Sequence, residues 1–463
     1  MLRKLAVVAV AVSGCVHSYD FPTLVERPKA PPTRTLIHDV RVFAGTSADA
    51  VEHQDVLLDA ERIVSIAPTG APPAGVAVVE GAGRTLLPGF VDMHAHVDLS
   101  PGAPWAPAWP DADHAGRALL YSGVTTAMDV GGDLGDLEGF ATRQREGKWL
   151  GPRLYYSGKV MTPHDSYPAS WVRMAFGWPL GNIAAGKAAE EISTVADGEK
   201  GVEDRVKHHA FQLKVAVAQV PLTTPVFTQE LLVPIVQSAH AKGLKVAAHI
   251  DSAEHAMLAA RAGVDILVHG VHLGALTPAQ AQELAAMKTR VVPTLDVFDR
   301  IEAMREFRYQ PTPVEEHLFP KEMIAEYLPE TVHKHTLEQP LLDWISALEA
   351  SHAARLANVQ VLRDAGVEIL VGADDNGSAA CWAGGAYLDE LRLLREAGLS
   401  NAEVLQAATY KAAHYLEASP DFGSIEPGKR ADLVLVEGNP LDDIGATSKI
   451  ADVFLGGVRL ERK

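Results

Sequence analysis

The sequence predicts an α/β protein: a (β/α)8 barrel of the TIM type joined to a small β-sandwich formed from the N- and C-terminal segments. Three observations carry that prediction. Between residues 87 and 419, short apolar β-like runs alternate with longer helical stretches, as parallel strands with crossover helices do. Both ends of the chain instead carry short β-rich runs broken by Gly, Asp and Pro. No Gly-x-Gly-x-x-Gly follows the first middle strand, which argues against a doubly wound open sheet.

The 463 residues suffice for one large domain and a smaller one, and 47% hydrophobic with 22% charged residues is an ordinary globular balance. A net charge of −18 argues against nucleic acid as a partner, because phosphate binding needs basic surface.

Residues 1–14 read as an export signal. Arg3 and Lys4 precede the apolar run Leu5–Val12, which is too short to cross a bilayer, and Val12-Ser13-Gly14-Cys15 resembles a bacterial lipobox. Cleavage would make Cys15 the first mature residue, lipidated on its sulfur, and would take the net charge to −20 by removing Arg3 and Lys4. Cys381 is then the remaining thiol, so no intramolecular disulfide is expected. The expected location is the cell envelope, on the periplasmic side of the outer membrane in a Gram-negative cell, with membrane contact through the lipid anchor alone. Residues 16–33, with Pro22, Pro28, Pro31 and Pro32, read as a tether.

Residues 34–86 and 420–463 are assigned to the sandwich. Thr35–Phe43, Asp55–Leu58, Arg62–Ala67 and Val76–Val79 are β-rich runs. The stretch Gly423–Val436 predicts two strands around the Pro427-Gly428 turn, and Val453–Leu455 with Val458–Leu460 flank Gly456-Gly457 as a hairpin. Residues 87–419 are assigned to the barrel. Its candidate strands are Phe90–His94, Thr125–Val130, Arg153–Ser157, Phe211–Val215, Lys245–His249, Ile266–His269, Val291–Thr294 and Glu368–Val371. Helices such as Gln229–Lys242 and Ala253–Ala262 end just before a Gly. Two long connections, 158–209 and 296–357, leave the C-terminal ends of strands, where barrel sites lie, and are read as lid or specificity elements.

The stretch Leu86-Leu87-Pro88-Gly89-Phe90-Val91-Asp92-Met93-His94-Ala95-His96 runs from a turn into a strand ending in His-x-His. Side chains at i and i+2 of a strand share a side, so His94 and His96 present two imidazoles to one point, half of a zinc-type site. Lys214, His249, His269 and Asp374 stand at the C-terminal ends of later strands. Any one of them alone would be an ordinary polar residue at a strand end. The ordered set of two His on strand one, then Lys, His, His and Asp, is hard to obtain by chance.

On these residues, on Gly423–Val436 and on His249…Ala262-Gly263-Val264-Asp265…His269-Gly270, residues 35–463 resemble the amidohydrolase superfamily. These are metal-dependent hydrolases on a (β/α)8 barrel beside a β-sandwich made of both termini. The nearest likeness is to the branch grouped with imidazolonepropionase-like proteins and certain dipeptidases, and Lys214 matches its binuclear members. The resemblance implies that His94, His96 and Asp374 bind a buried metal and that His249 and His269 bind a more exposed one. It further implies that Lys214, carboxylated by CO2, and a hydroxide bridge the two. The ions would be zinc, with manganese or cobalt as alternatives for a nitrogen and oxygen donor set. The hydroxide would attack a carbonyl carbon and Asp374 would pass its proton to the leaving group. The expected activity is hydrolysis of an amide or peptide-like C–N bond in a small molecule such as a dipeptide or N-acyl amino acid.

Other readings stay open at this stage. One is a mononuclear deaminase or cyclic-amide hydrolase in which Glu254 manages protons. Others are a carbamate, ester or lactone hydrolase, and a non-catalytic envelope lipoprotein. Ser157-Gly158-Lys159-Val160-Met161-Thr162-Pro163-His164 departs from the Gly/His-rich loop of dipeptidase-like relatives, which leaves the substrate unspecified. His164, Tyr167 and Arg173 are the candidate substrate contacts. Trp105, Trp109 and Trp382 suggest an apolar pocket mouth, and Cys381 reads as packing. Asp375, next to Asp374, is the alternative for the carboxylate ligand, with strand phase favouring Asp374.

Overall fold

The computed structural model describes residues 16–176, 180–335, 337–376 and 379–463. The export signal and Cys15 lie outside the described residues, and among these no helix is long and apolar enough to cross a membrane.

Both chain ends contribute to one eight-stranded sheet. Arg34–Phe43 pairs antiparallel with Ala50–Asp59, which pairs with Arg62–Pro68. The other edge of Arg34–Phe43 meets Ala77–Glu80 at its start and Arg84–Pro88 near its end, both parallel. Arg84–Pro88 pairs antiparallel with Leu433–Glu437, and Ile450–Leu455 and Val458–Arg459 follow. Ile37, Val56, Leu86, Leu433 and Phe454 form the core of this unit. Gly456 and Gly457 both have positive φ, 56° and 75°, which the tight hairpin turn requires. The strand expected before Pro427 does not form; there the Ser424 hydroxyl binds Glu426 and Lys429 instead of a neighbouring strand.

Gly89 carries the chain from this sheet into the parallel part of the fold. Leu87 pairs with Val434, whereas Phe90 pairs with Val124. A Cβ on Gly89 would lie 2.1 Å from the Thr125 hydroxyl, so the crossing point admits no side chain.

The middle of the chain forms two parallel sheets. One orders Phe90–Ala95, Val124–Asp129 and Arg153–Tyr156; the other contains Gln212–Val217, Lys245–Ile250, Ile266–Val268 and Arg290–Val292. Backbone hydrogen bonds link their edges, from Phe211 N to Tyr156 O (2.9 Å) and from Met93 N to Val371 O (2.9 Å). The segment expected as an eighth strand, Glu368–Val371, is not a full strand. It makes a single parallel bridge, Ile369 with Val291, and contacts both sheets through alternate hydrogen bonds before the close approach at Gly372.

Two further differences matter for the site. The 158–209 connection contains two more parallel strands, Val160–Pro163 and Ala189–Ile192. Gly158, at φ 75°, breaks the line after Arg153–Tyr156, and the chain resumes as Val160–Pro163. Residues 16–33, expected as a tether, lie partly on the protein. Leu24 and Val25 are buried, Val25–Glu26 pairs with Glu461–Arg462, and Phe21 stacks on His114. Proline content signals a linker only when no apolar residue finds a surface, and Phe21, Leu24 and Val25 find one.

Candidate metal centre

Six side chains expected as ligands meet at the C-terminal ends of the parallel strands and line one cavity of about 570 Å³. His94 and His96 come from the end of Phe90–Ala95 and the residue after it. Their Nε2 atoms lie 3.1 and 3.0 Å from the same Asp374 oxygen. His269 stands 4.5 Å from His94 and 4.0 Å from His249, measured between ring centroids. Lys214 pairs in register with Ala247, and Ala216 with His249, so the lysine starts two residues deeper than the histidine. Two residues of strand are about 7 Å, a distance the four-carbon lysine stem is long enough to cover.

Backbone strain and buried carboxylates aim these groups. His269 and Asp374 both have left-handed φ, 78° and 58°, and so does Thr294 (47°). Non-glycine residues held there cost about 1–3 kcal/mol each, and such strain clusters at functional sites. Thr294 Oγ1 lies 2.9 Å from His269 Nδ1, which fixes the ring. Asp92 accepts hydrogen bonds from the backbone N–H of His94 (2.9 Å) and of Ala373 (3.2 Å), tying strand one to the segment that bears Asp374. Asp129 accepts from Val97 and Gly131, and Asp375 accepts from His96 N at 3.0 Å. Asp375 is therefore a support for His96, and Asp374 is the carboxylate among the imidazoles. A Cβ on Gly131 would stand 3.1 Å from the His96 ring.

The electrostatics suit cation binding. Burial, helped by the Lys214 charge, pushes His94 down to about 3, and burial pushes His249 and His269 well below the usual range. These rings are neutral at ordinary pH, the form that offers a lone pair to a metal. Burial raises the Asp374 carboxyl, but its interactions with His94 and His96, hydrogen bonds included, outweigh it and hold the group far below the carboxylate range. Burial also pushes Lys214 down to about 7, against the pull of Asp374. Among the described residues, Lys214 has no carboxylate within ion-pair distance. Ligand-type atoms of His94, His269 and Asp374 lie within 4.8 Å of one another, and the Nδ1 atoms of His94 and His96 are buried without partners. This set of imidazole nitrogens and one carboxylate, without a thiolate, fits a divalent ion of the zinc type. The cluster of His94, His269 and Asp374 takes His94 and Asp374 from one expected metal and His269 from the other.

The expected substrate contacts divide. Tyr167 lines the cavity, its ring 4.6 Å from His249. His164 and Arg173 do not line it: His164 pairs with Asp165, and Arg173 is held by Asp165, Glu191 and Asn182. A charged residue beside acidic neighbours satisfies itself locally, and both sit beside Asp165. Of the three tryptophans, Trp105 lines the cavity and stacks on His335 at 4.5 Å. Trp109 is exposed, and Trp382 is buried against Phe319 and Tyr327 with its N–H on Pro101 O. Cys381 is buried, its thiol on Ala373 O at 3.2 Å, which is a packing role. Glu254 sits exposed in the first turn of Ala253–Arg261 and does not line the cavity.

Sequence reasoning missed His272, which is 1% exposed, lines the cavity and stacks on Phe298 at 4.1 Å. Its only sequence signal is a third histidine shortly after His269-Gly270. It also missed the supports Asp92 and Asp129, visible as lone acids within apolar strands.

Comparison with known proteins agrees with this geometry. Residues 85–460 match the model of the amidohydrolase family. Curated relatives match over short stretches: a D-hydantoinase of Streptomyces coelicolor is 33% identical over 102 residues, 21% of each chain. An imidazolonepropionase of Shouchella clausii is 33% identical over 118 residues, 23% of this chain and 26% of its own. The matched part thus spans about a quarter or less of the length of these relatives. Among solved structures, a Xaa-Pro dipeptidase with bound methionine superposes with a TM-score of 0.73 at 23% identity, covering 93% of this chain and all of that one. Ochratoxinase of A. niger superposes at 0.68 and 18% identity over 93% of this chain and 96% of its own. At these identities the structures share the fold.

Proposed function

The chain belongs to the amidohydrolase family, and from that premise we propose that it is a binuclear metal-dependent hydrolase of an amide or peptide-like C–N bond. The observation that carries the reading is the convergence of four imidazoles, one lysine and one carboxylate at the ends of the parallel strands. We read the two parallel sheets and the Glu368–Val371 segment as one (β/α)8 barrel, since hydrogen bonds join their edges on both sides. The two-layer sandwich of the chain ends belongs to the same reading.

His94, His96 and Asp374 would hold one ion, and His249 and His269 the other, with carboxylated Lys214 between them. A lysine ammonium has no lone pair, whereas a carbamate offers two anionic oxygens. When bound, two zinc, manganese or cobalt ions would polarise the substrate carbonyl and make a water acidic enough to attack it. The residues do the rest. Neutral His94, His249 and His269 supply lone pairs, and Thr294 holds the His269 ring in place. Asp374 stays ionised, so it can take a proton from the attacking water and deliver it to the leaving nitrogen. The acyl C–N bond breaks, the acyl carbon gains OH and the nitrogen gains H. The apolar walls keep bulk water away from that exchange.

The test is a panel of dipeptides, N-acyl amino acids, anilides, carbamates and lactones with wild type and Lys214→Ala. The reading expects amide turnover in wild type and loss of about 10³-fold or more in the variant. Turnover unchanged in Lys214→Ala, or turnover of lactones alone, would overturn it. Export and lipid attachment at Cys15 form part of the proposal; a Cys15→Ser variant expressed in bacteria should leave the membrane fraction.

A further inference from the structure

Building on the hydrolase reading, the charge inventory of the cavity bears on the substrate. Among the described residues that line the cavity, Arg305 is the permanent cation, since burial pushes Lys214 down to about 7 and the hydrolase reading has it carboxylated. Lys214 belongs to the floor. Arg305 ends the helix Leu295–Arg305, whose first residue follows Thr294, the partner of His269. Eleven helical residues span about 16 Å, which carries the Arg305 backbone away from Thr294 and its partner His269. A substrate carboxylate pointing away from the floor would meet no side-chain cation near the scissile bond and would lose its hydration among apolar side chains. Those are Trp171, Phe298, Ile301, Leu341, Trp344 and Ile345, carried by the two long connections.

Besides Tyr167, Arg305 and His335, one further polar side chain above the floor lines the cavity. His272 lies 6.4 Å from both His249 and His269 and 6.3 Å from Trp344, between floor and wall. Its backbone N–H is fixed on Asp251 O at 2.9 Å. Asp251 is itself occupied by His255 and by the Gln219 N–H. The Gly270 and His269 carbonyls favour its protonated form but burial outweighs them, and neither ring nitrogen has a partner in hydrogen-bond geometry. Burial keeps the ring neutral, so it carries one donor and one acceptor, both buried at the edge of the cavity. A buried pair of this kind is costly to leave unmade.

We propose that the cavity takes an uncharged, apolar amide, such as an aryl amide or anilide, in preference to a dipeptide, and that His272 orients it by hydrogen bonding to the amide group. His272 is thus a specificity-determining contact in a site whose reach is set by the two long connections.

The test uses a matched pair that differs by one carboxylate, N-benzoylpyrrolidine and N-benzoylproline. Binding to chelator-treated, metal-free protein is followed by calorimetry and tryptophan fluorescence, so no turnover intervenes. The neutral compound should bind about tenfold or more tighter. His272→Phe should weaken its binding about three- to tenfold, and His272→Gln, which keeps hydrogen-bonding capacity, should weaken it less. Arg305→Ala should leave it unchanged. Tighter binding of N-benzoylproline, or equal binding of the neutral compound to wild type and His272→Phe with both folded by circular dichroism, would overturn the inference. If the metal-loaded enzyme cleaves no amide while this binding order holds, the hydrolase reading fails and the binding inference stands.

Discussion

The floor of the cavity is made of strand ends and its wall of helices, and the two are held in different ways. On the floor, His94, His96 and His249 follow from strand phase, His269 and Asp374 stand just past strand ends in left-handed backbone, and neighbouring backbone groups are tied to buried carboxylates or to the next strand. On the wall, Phe298, Ile301 and Trp344 follow from how the helices of the 296–357 connection pack, and one buried arginine anchors them. Arg300 binds Asp296 and Asp389, each at 2.6 Å, together with Glu315 and the Ala380 carbonyl. Rigid geometry where atoms must be placed within fractions of an ångström, and adaptable packing where a substrate body must fit, is a division that lets one chemistry serve many substrates.

The largest effects are expected on the floor. His94→Ala should lower kcat/KM by about 10³-fold or more and reduce bound metal, while circular dichroism stays native. A native level of activity would remove His94 from the chemistry. On the wall, Arg300→Met leaves Asp296 and Glu315 buried without their cation and should cost about 3–5 kcal/mol in urea unfolding. Bound metal should be unchanged, because no ligand of the floor touches Arg300. A fall in metal content would show that wall and floor are one unit.

Asp92→Ala sharpens the boundary from below. It strips two buried backbone N–H groups of their acceptor and should cost about 2–4 kcal/mol, with metal affinity down about 10–100-fold. Asp92→Asn keeps an acceptor oxygen and should recover most of the loss.

A control sits away from both regions. His114 is buried against Phe21 and Phe319, with both ring nitrogens unpartnered, and burial pushes it down to about 4 from the ordinary 6.5. Between these values the unfolded chain binds a proton that the native chain does not. Stability should therefore be complete above pH 6.5 and fall as the pH drops toward 4, by up to about 3 kcal/mol. Denaturation midpoints of His114→Phe should show a shallower slope in that window; an identical slope would mean that other groups set it. The smallest effect belongs to the mouth. Trp105→Ala removes the stack on His335 and should raise KM by about two- to tenfold at unchanged kcat.

The same division governs what was legible in the sequence. His-x-His and the later expected ligands could be read because strand phase fixes the side to which a residue points, and the positions are at or just past strand ends. Even the choice of Asp374 over Asp375 followed from phase, although only the structure gives Asp375 its partner, the His96 N–H. Lys214 was legible as a ligand-type residue, but its deeper register against Ala247 was not. His272 was invisible because it lies past the strand end, where no periodicity constrains direction. Apolar content on the wall helices says that a face is buried, without saying against what, and Trp382 accordingly went to the core. Residues 16–33 were misread because the pairing of Val25 with Arg462 joins positions at opposite ends of the chain, and composition carries no information about such a contact.

The central claim is that the floor is a two-metal centre that depends on Lys214. The most direct measurement is the number of divalent ions per chain, by mass spectrometry of the purified wild type and of Lys214→Ala reconstituted in the same zinc and bicarbonate buffer. The account predicts two ions in the wild type and at most one in the variant. One ion in both would contradict it.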